Sequence, residues 1–467
     1  GGGAIDMEAG ETTTNAGLID ILGSNTFGFL DGVLENSGVI NIGSGGELAI
    51  IGGTLSMLDG GTLTGTGSVT LASEFNIGTG VNYLLGGGGP SLEITGGDIT
   101  GGGTLTNSGT IVMEGAVSVF DGSITVDSLV NASGGFLGFG SSIFVIDTAS
   151  EFTNAAGGTI QFDATTGLSD GRFATDWTNN GLLHLTSSTS GSDSAVRVSM
   201  TGGTLTNNDT ILLGTSTGFN HSIGGDIQNN GLFTIDTIGG GFSGGGGTFT
   251  NDGTVDVING SQFIINLTGG GGAFVNSAAG TIDLNDGSIN VFGGTVTNNG
   301  ALNVGTGDVL ISTTGTFTSV LEQNVDITFG SGSTLQVGQT NAGGTITGTG
   351  TVTVNAGASV SIDNNALLDV NVINAGVVDF DGTAVLGGAL TNNGTLTAGD
   401  GIYTIDGQLT LAAAGSIDTA GNTTLTGSGT IANDSSLSFD TSGLISVATF
   451  TNTGDMTFNA GTYTIGS

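Results

Sequence analysis

The sequence predicts an all-β chain that folds as a parallel β-helix, a solenoid in which short strands stack rung upon rung. One motif, apolar–Thr–Asn–x–Gly–Thr–apolar–x–apolar, recurs about every 22 to 25 residues from one end of the chain to the other. Apolar and polar residues alternate on both sides of the motif, which is the period of a strand. Glycine makes up 94 of the 467 residues without a Gly-X-Y register, which excludes collagen. These observations predict about 20 rungs of about 23 residues in a single domain spanning 1–467.

The first element of each copy is a strand that ends at the asparagine. The residue two positions before the asparagine is apolar in nearly every copy, as Leu105, Leu205 and Phe249 illustrate. Because successive side chains of a strand point to opposite faces, these residues are predicted to face the core. Clear copies of the motif carry their asparagine at Asn15, Asn36, Asn107, Asn179, Asn207, Asn229, Asn251, Asn298, Asn374, Asn392 and Asn452. Looser copies, with one or two extra turn residues, carry it at Asn131, Asn154 and Asn276.

The second element is a strand that follows the turn. The fourth and sixth residues after the asparagine are apolar in the regular copies, and the residue between them is often polar. The remainder of each period contains one or two more short strands, marked by Thr-Leu-Thr and Thr-Val-Thr runs between glycines. The predicted core after the turn includes Ile111, Met113, Ile211, Leu213, Val255 and Val257.

The turn between these strands contains residues that tolerate positive φ, in the sequences Asn-Asn-Gly, Asn-Ser-Gly and Asn-Asp-Gly. A two-residue loop of this composition also forms β-hairpins. The near-constant period, without a partner strand of matching length, favours a corner between consecutive faces of a coil. Asparagine side chains at such corners are expected to form a ladder of hydrogen bonds along the stack, as amides do in other parallel stacks.

Charge and composition argue against several functions. The net charge is −38, and Arg172 and Arg197 are the only Lys or Arg residues. Nucleic-acid binding needs cationic side chains to displace counterions, and an anionic membrane surface would repel this chain. No apolar stretch is long enough to insert into a membrane. Cysteine is absent from the sequence, so disulfides do not contribute to the fold.

Several acidic residues fall on outward strand positions. Two interpretations stay open for them. They form a solvated face that keeps an apolar-rich chain soluble, or their stacked like charges are bridged by a divalent cation such as Ca²⁺, the one cofactor that the sequence suggests. The candidate residues for bridging are Asp20, Glu114, Asp236, Asp256 and Asp379.

The repeats resemble those of autotransporter passenger domains and filamentous-haemagglutinin-type adhesins of Gram-negative bacteria. The resemblance is carried by Gly-Gly-Thr-Leu-Thr-Asn at 202–207, Gly-Gly-Thr-Val-Thr-Asn-Asn-Gly at 293–300 and Leu-Thr-Asn-Asn-Gly-Thr-Leu at 390–396. It extends over essentially the whole chain. It implies a right-handed β-helix that is secreted by, or displayed on, a bacterial cell.

A catalytic function is not expected. Polysaccharide lyases and glycosidases with β-helical folds need paired carboxylates or a carboxylate cluster with a basic partner. The basic residues of the sequence are Arg172, Arg197, His184 and His221. Both histidines are expected at exposed positions, and both arginines are expected to pair with nearby Asp residues. The sequence therefore predicts a protein that is not an enzyme.

The expected function is structural. No helix, proline cluster or block of charge caps the repeats at either end of the sequence. This favours a head-to-tail homopolymer, in which subunits add rungs to one another and build an extracellular filament or matrix. The uncapped ends are also explained if the sequence is a fragment of a longer passenger whose caps are missing. The alternative function is the β-helical stalk of a surface adhesin. Host surface or matrix components would then be further partners.

Overall fold

A computed structural model describes residues 3–5, 10–86, 89–113, 120–140, 143–164, 168–187, 195–214, 221–237, 240–243, 246–268, 271–312, 319–338, 343–419, 421–440, 442–459 and 461–466. Over these residues the chain is all-β and contains no helix, and it forms a parallel β-solenoid with turns roughly 22 residues apart. The predicted fold class and the predicted rung length of about 23 residues are therefore confirmed. The chain divides into two compact units, Gly1–Gly240 and Gly241–Ser467. This division does not test the expectation of a single domain, which stays a prediction.

Each rung contributes strands to three faces, which the chain visits in a constant order. In the first unit the first face stacks parallel strands in register, so that Ser68–Leu71 pairs with Glu47–Ile50 on one side and Ser91–Ile94 on the other. The strands of this face are Gly3–Ile5, Thr26–Phe29, Glu47–Ile50, Ser68–Leu71, Ser91–Ile94, Thr110–Met113, Phe136–Phe139, Thr159–Asp163, Leu182–Thr186, Thr210–Leu213 and Leu232–Ile235.

The second and third faces of this unit share four long strands that continue through the corner between them. The second face consists of Thr12–Asn15, Val33–Asn36, Thr54–Met57, Glu74–Ile77, Ile99–Thr100, Ser169–Phe173 and the first halves of Phe120–Asn131, Ile143–Asn154, Val196–Asn207 and Ser222–Asn229. The third face consists of Leu18–Ile21, Val39–Ile42, Thr62–Gly65, Asn82–Leu85, Thr104–Asn107, Trp177–Asn179 and the second halves of the same four strands.

The second unit repeats this organisation. Its first face contains Thr254–Val257, Thr281–Asp283, Ala301–Asn303, Ile327–Phe329, Ala389–Asn392, Gln408–Leu411 and the second halves of Gly344–Val354, Ala366–Asn374, Thr423–Asn433 and Gly443–Asn452. Its second face contains Gly240–Ser243, Gln262–Asn266, Ser288–Phe292, Asp308–Ser312, Thr334–Val337, Ser359–Ile362, Val377–Phe380, Thr395–Ala398, Ser416–Thr419, Ser436–Phe439 and Asp455–Phe458. Its third face contains Thr248–Asn251, Ala273–Asn276, Gly294–Asn298, Ser319–Gln323, Ala384–Leu386, Gly401–Ile405, Tyr463–Gly466 and the first halves of the same four strands.

The core of each unit is formed by the inward side chains of all three faces. Burial alternates along the strands, as in Thr104–Asn107, where Leu105 and Asn107 are buried and the two threonines are half-buried. All nine residues proposed for the core have no more than 1% of their surface exposed, namely Leu105, Ile111, Met113, Leu205, Ile211, Leu213, Phe249, Val255 and Val257.

Aromatic side chains fill part of the first unit. Trp177, which is 1% exposed, stacks against Phe152 and Phe173, with ring centroids 4.9 and 4.4 Å away. Phe139 and Phe162 stack in the same way at 4.6 Å. Parallel in-register pairing places like side chains at rung spacing, which is why Trp177 stacks on Phe152 and Phe162 stacks on Phe139. Phe173 and Trp177 stack within one rung, from consecutive strands.

Candidate functional site: the asparagine corners

The repeated asparagine occupies different corners of the solenoid in different parts of the chain. Asn15 and Asn36 end strands of the second face. The motif asparagines from Asn107 to Asn298 end strands of the third face, within each unit. Asn374 and the motif asparagines after it end strands of the first face. The motif that looks like one series in the sequence is therefore divided among three corners.

A ladder of six asparagines lies in the first unit. Each side-chain Nδ2 donates a hydrogen bond to the Oδ1 of the next asparagine, always in the same direction along the stack. All six asparagines of this ladder are fully buried. The bonds run from Asn107 to Asn131 (2.9 Å), from Asn131 to Asn154 (2.8 Å), from Asn154 to Asn179 (2.7 Å), from Asn179 to Asn207 (2.7 Å) and from Asn207 to Asn229 (2.7 Å).

Each ladder asparagine also satisfies the backbone of its own corner. Asn179 shows the pattern: its Nδ2 lies 3.0 Å from the carbonyl oxygen of Gly181 and 3.0 Å from that of Thr210 on the next rung. A turn that enters the core exposes backbone carbonyls to an apolar environment, and a buried polar group without a partner is costly. The amide side chain removes this cost at the corners that it occupies.

Shorter ladders occupy the corners of the second unit. One joins Asn251, Asn276 and Asn298 at 2.8 and 2.7 Å and ends with Nδ2 of Asn298 donating to Oε1 of Gln323 at 3.1 Å. Another joins Asn374 to Asn392 at 2.7 Å, and a third joins Asn433 to Asn452 at 2.6 Å.

Two ladder residues were missed by the sequence motif, because it requires a glycine soon after the asparagine. Gln323 and Asn433 lack that glycine. Both nevertheless have apolar residues two positions before and four positions after them. A search for Asn or Gln with apolar residues at these two positions, without the glycine, would have identified them.

Apolar side chains end some of the ladders. In the first unit Asn36 lies in register with Met57, and its Nδ2 is 3.9 Å from the methionine sulfur. In the second unit Asn392 lies in register with Leu411, and its Nδ2 donates instead to the carbonyl oxygen of Ser416 at 2.9 Å. The ladders are therefore interrupted by substitution of the amide and not by a break in the sheet.

A second, outer line of amides runs beside the buried ladder. In the first unit Nδ2 of Asn208 donates to Oδ1 of Asn180 at 2.9 Å, and Nδ2 of Asn230 donates to Oδ1 of Asn208 at 2.9 Å. In the second unit Nδ2 of Asn324 donates to Oδ1 of Asn299 at 2.9 Å. At these rungs the residue after the ladder amide thus also contributes to cohesion between rungs.

Donors from neighbouring rungs serve three of the five acids proposed for cation bridging. Asp20 accepts from Nδ2 of Asn41 at 2.7 Å, Asp256 accepts from Nδ2 of Asn285 at 2.8 Å, and Asp379 accepts from the hydroxyl of Thr397. Asp236 is half-buried and also has an interaction partner, whereas Glu114 lies outside the described residues. Over the part of the chain that the structure describes, no group of three or more His, Cys, Asp or Glu side chains is arranged to hold a metal ion.

The few basic residues lie in the first unit. Arg172 is paired with Asp170 at 2.9 Å, and Arg197 lies in register with Asp170 on the next rung. The expectation that His221 is exposed is wrong: it is fully buried, and its Nδ1 accepts a hydrogen bond from the backbone N–H of Val196 at 3.3 Å. Burial lowers the pKa of His221 to about 4.

Neither comparison with known proteins yields a relative: no protein-family model matches the chain, and no curated protein matches it. Among the described residues there is no helix with the length and apolar character needed to cross a membrane. What the site itself shows is a set of amides whose hydrogen bonds are directed at other rungs of the same chain. This arrangement stabilises stacking, and its donors and acceptors are used within the protein.

Proposed function

We propose that this protein is a structural component of an extracellular filament or matrix, and that its subunits assemble end to end by stacking β-solenoid rungs. The single observation that carries the proposal is the repeated use, within each unit, of parallel, in-register strand pairing, which amide ladders supplement at many corners. A further rung can join such a stack if it has strands in the same register and an amide at the same corner.

A further rung, of this chain or of a second subunit, would add to the strands Asp455–Phe458 and Tyr463–Gly466. Phe458 and Ile465 lie in register with Phe439 and Ile445 of the preceding rung. Phe439 and Ile445 are 1% and 2% exposed, whereas Phe458 and Ile465 are 44% and 53% exposed. Strand edges with exposed apolar side chains favour β-strand addition, because the added strand satisfies backbone groups and covers apolar surface together.

The resemblance of the repeats to those of secreted and surface-displayed proteins supports a location outside the cell. A net charge of −38 favours solubility and discourages binding to nucleic acid. The partner that we propose is another copy of the same chain, with host surface or matrix components as secondary partners. The second candidate function is the stalk of a surface adhesin, which the resemblance to autotransporter and haemagglutinin repeats favours.

Negative-stain electron microscopy and light scattering of the purified 467-residue chain test the proposal. We expect unbranched filaments that lengthen with protein concentration. The double variant Phe458→Glu and Ile465→Glu places charge on the edge and is expected to abolish them. Leu84→Glu is the matched control, since Leu84 is 60% exposed but lies on the side of the solenoid, in register with Thr106.

The outcomes separate the two candidate functions. Filaments that are lost in the edge variant and kept in Leu84→Glu support end-to-end assembly. Isolated particles at every concentration contradict it and favour the stalk. Filaments that persist in the edge variant show that subunits associate through another surface.

A further inference from the structure

Four corners of the solenoid share the sequence Asn-Asn-Gly, in which the first asparagine belongs to a buried ladder. The second asparagine of each is directly followed by glycine, at Asn180, Asn230, Asn299 and Asn393. Each of these four residues directly follows the end of a strand, and each is half-buried or exposed. They form a matched set, because the local sequence is identical and only the contacts of the side chain differ.

An asparagine followed by glycine is the pair most prone to spontaneous deamidation, because glycine offers no side chain to obstruct the reaction. The glycine backbone nitrogen attacks Cγ of the asparagine, a C–N bond forms, and the Cγ–NH₂ bond breaks with release of ammonia. Water then opens the resulting succinimide at either carbonyl and leaves aspartate or isoaspartate. The reaction needs only water, and it needs the side-chain amide to rotate towards the glycine nitrogen.

Three of the four amides are held by neighbouring rungs. Oδ1 of Asn180 accepts from Asn208, and Oδ1 of Asn299 accepts from Asn324, each at 2.9 Å. Asn230 donates to Asn208 at 2.9 Å and accepts from Gln228 at 3.0 Å. Rotation towards the glycine nitrogen breaks these bonds.

The nucleophile at Asn230 is also engaged. The N–H of Gly231 donates to the carbonyl oxygen of Asn207 at 3.0 Å. A fifth Asn-Gly pair, Asn259-Gly260, lies in a different turn, and the N–H of Gly260 is held by the carboxylate of Asp286 at 3.1 Å. A neighbouring carboxylate disfavours the loss of the amide proton that the attack requires.

Asn393 differs from the other three. Its side chain is exposed, and within the described residues it makes no hydrogen bond to another side chain, because Ala375 stands at the equivalent position of the preceding rung and Ala412 at that of the next. The N–H of Gly394 makes only a long contact of 3.3 Å with Oδ1 of Asn392. We propose that Asn393 is a site of spontaneous modification, the Asn-Asn-Gly corner that converts first to aspartate and isoaspartate in the folded protein.

The modification has a structural consequence at a ladder. Isoaspartate inserts an extra carbon into the main chain and adds a negative charge directly after Asn392. The corner carries two bonds that depend on its backbone path, from Nδ2 of Asn392 to the carbonyl of Gly394 at 3.1 Å and from the N–H of Asn393 to the carbonyl of Asn374 at 2.7 Å. Conversion is expected to loosen the stacking of this rung on its neighbours.

Peptide mapping by mass spectrometry tests the proposal. The whole chain is aged in mildly alkaline buffer, digested with pepsin, and the fractions of aspartate and isoaspartate are measured at the four corners. In the folded protein we expect conversion at Asn393 to be about tenfold faster than at the other three, since a held amide must break a hydrogen bond of ordinary strength. The same sample aged in denaturant is expected to convert all four at similar rates.

The variant Asn393→Gln provides the control, because glutamine closes the corresponding ring far more slowly. It is expected to remove the fast phase and to leave the rates at Asn180, Asn230 and Asn299 unchanged. Equal folded-state rates at all four corners would overturn the proposal. So would a faster rate at Asn393 that persists in denaturant, because the selectivity would then come from the sequence and not from the fold.

Discussion

The buried asparagine illustrates how one residue type meets two demands at a corner. An apolar side chain would fill the same space but would leave carbonyl groups of the turn without partners inside the core. Asparagine bonds those carbonyls and, with its remaining donor and acceptor, the amides of the adjacent rungs. Because the donor points in one direction along the stack, each ladder has a polarity that a single substitution interrupts.

Removing one ladder amide is therefore expected to cost more than removing its neighbour on the surface. In Asn179→Ala, Nδ2 of Asn154 and Oδ1 of Asn207 lose their partner in the core, so the free energy of unfolding should fall by about 2 kcal/mol. Asn180→Ala removes an outer amide and should change it by no more than about 0.5 kcal/mol. Chemical denaturation followed by the fluorescence of Trp177 measures both, and equal effects would contradict the assigned role of the ladder.

His221 gives the first unit a pH dependence. Its folded pKa of about 4 lies below the ordinary value of 6.5, because burial disfavours the charged imidazolium. Between these values the unfolded chain binds more protons than the folded one, so stability is present above pH 6.5 and is lost as the pH falls towards 4. The expected loss is on the order of 3 kcal/mol.

Comparison with His221→Asn isolates this contribution. The Oδ1 of asparagine can replace Nδ1 as the acceptor for the N–H of Val196, and it does not titrate in this range. The stability of the original protein relative to the variant should fall as the pH is lowered from 6.5 towards 4. A constant difference between them would show that His221 does not carry the effect.

At the scale of the element, the structure differs from the pattern of three separate short strands in every rung, because some rungs contain one long strand that covers two faces. Several strands run through the corner between the second and third faces, with a shift of register at the corner, as in Val196–Asn207 between Ser199 and Thr204. The alternation of apolar and polar residues predicts each half of such a strand correctly. It cannot predict their fusion, because a shift of register and a break in a strand have the same local sequence pattern.

Because each strand packs against the strands of the rungs on both sides, a charged substitution in the core is expected to destabilise the adjacent rungs as well. Ile211 lies in register between Leu183 and Phe233, and all three are fully buried. Ile211→Asp should lower the free energy of unfolding by at least about 3 kcal/mol, since it leaves a buried carboxylate without a partner. Hydrogen exchange should increase in the strands on both sides, because a rung contacts chiefly its neighbours.

Leu212→Asp is the matched control for this effect. Leu212 is the next residue of the same strand, but it points outward and is half-buried. Its replacement should leave exchange in the neighbouring strands close to that of the original protein. Increased exchange in both variants would indicate that the two faces of this strand are not distinguished as described.

At the scale of the whole molecule, 40 acidic residues face only two arginines. Hydrogen bonds donated by amides and hydroxyls of neighbouring rungs meet several of these carboxylates, as at Asp20 and Asp256. Such bonds satisfy individual oxygens but do not reduce the net charge of −38. Repulsion between like charges therefore persists, and it is subject to screening by salt.

Added salt is expected to raise the melting temperature for this reason. Sodium chloride and calcium chloride should have equal effects at equal ionic strength if the cations act by screening alone. Thermal scans in both salts, with a chelator as reference, measure the comparison. A larger increase with Ca²⁺ that the chelator reverses would instead support bridging at the candidate acids.

The sequence by itself determined the strand, the turn and the inward residue, because these depend on interactions within one copy of the motif. Alternation of side chains identified Ile211 and Val255 as core residues, and the turn residues identified the asparagine as the end of a strand. Only the tertiary structure decided which corner each asparagine occupies. All three corners accept the same turn chemistry, so Asn15, Asn107 and Asn374 look alike locally. Pairing with the rungs above and below, which depends on the length of every intervening loop, places them on different faces.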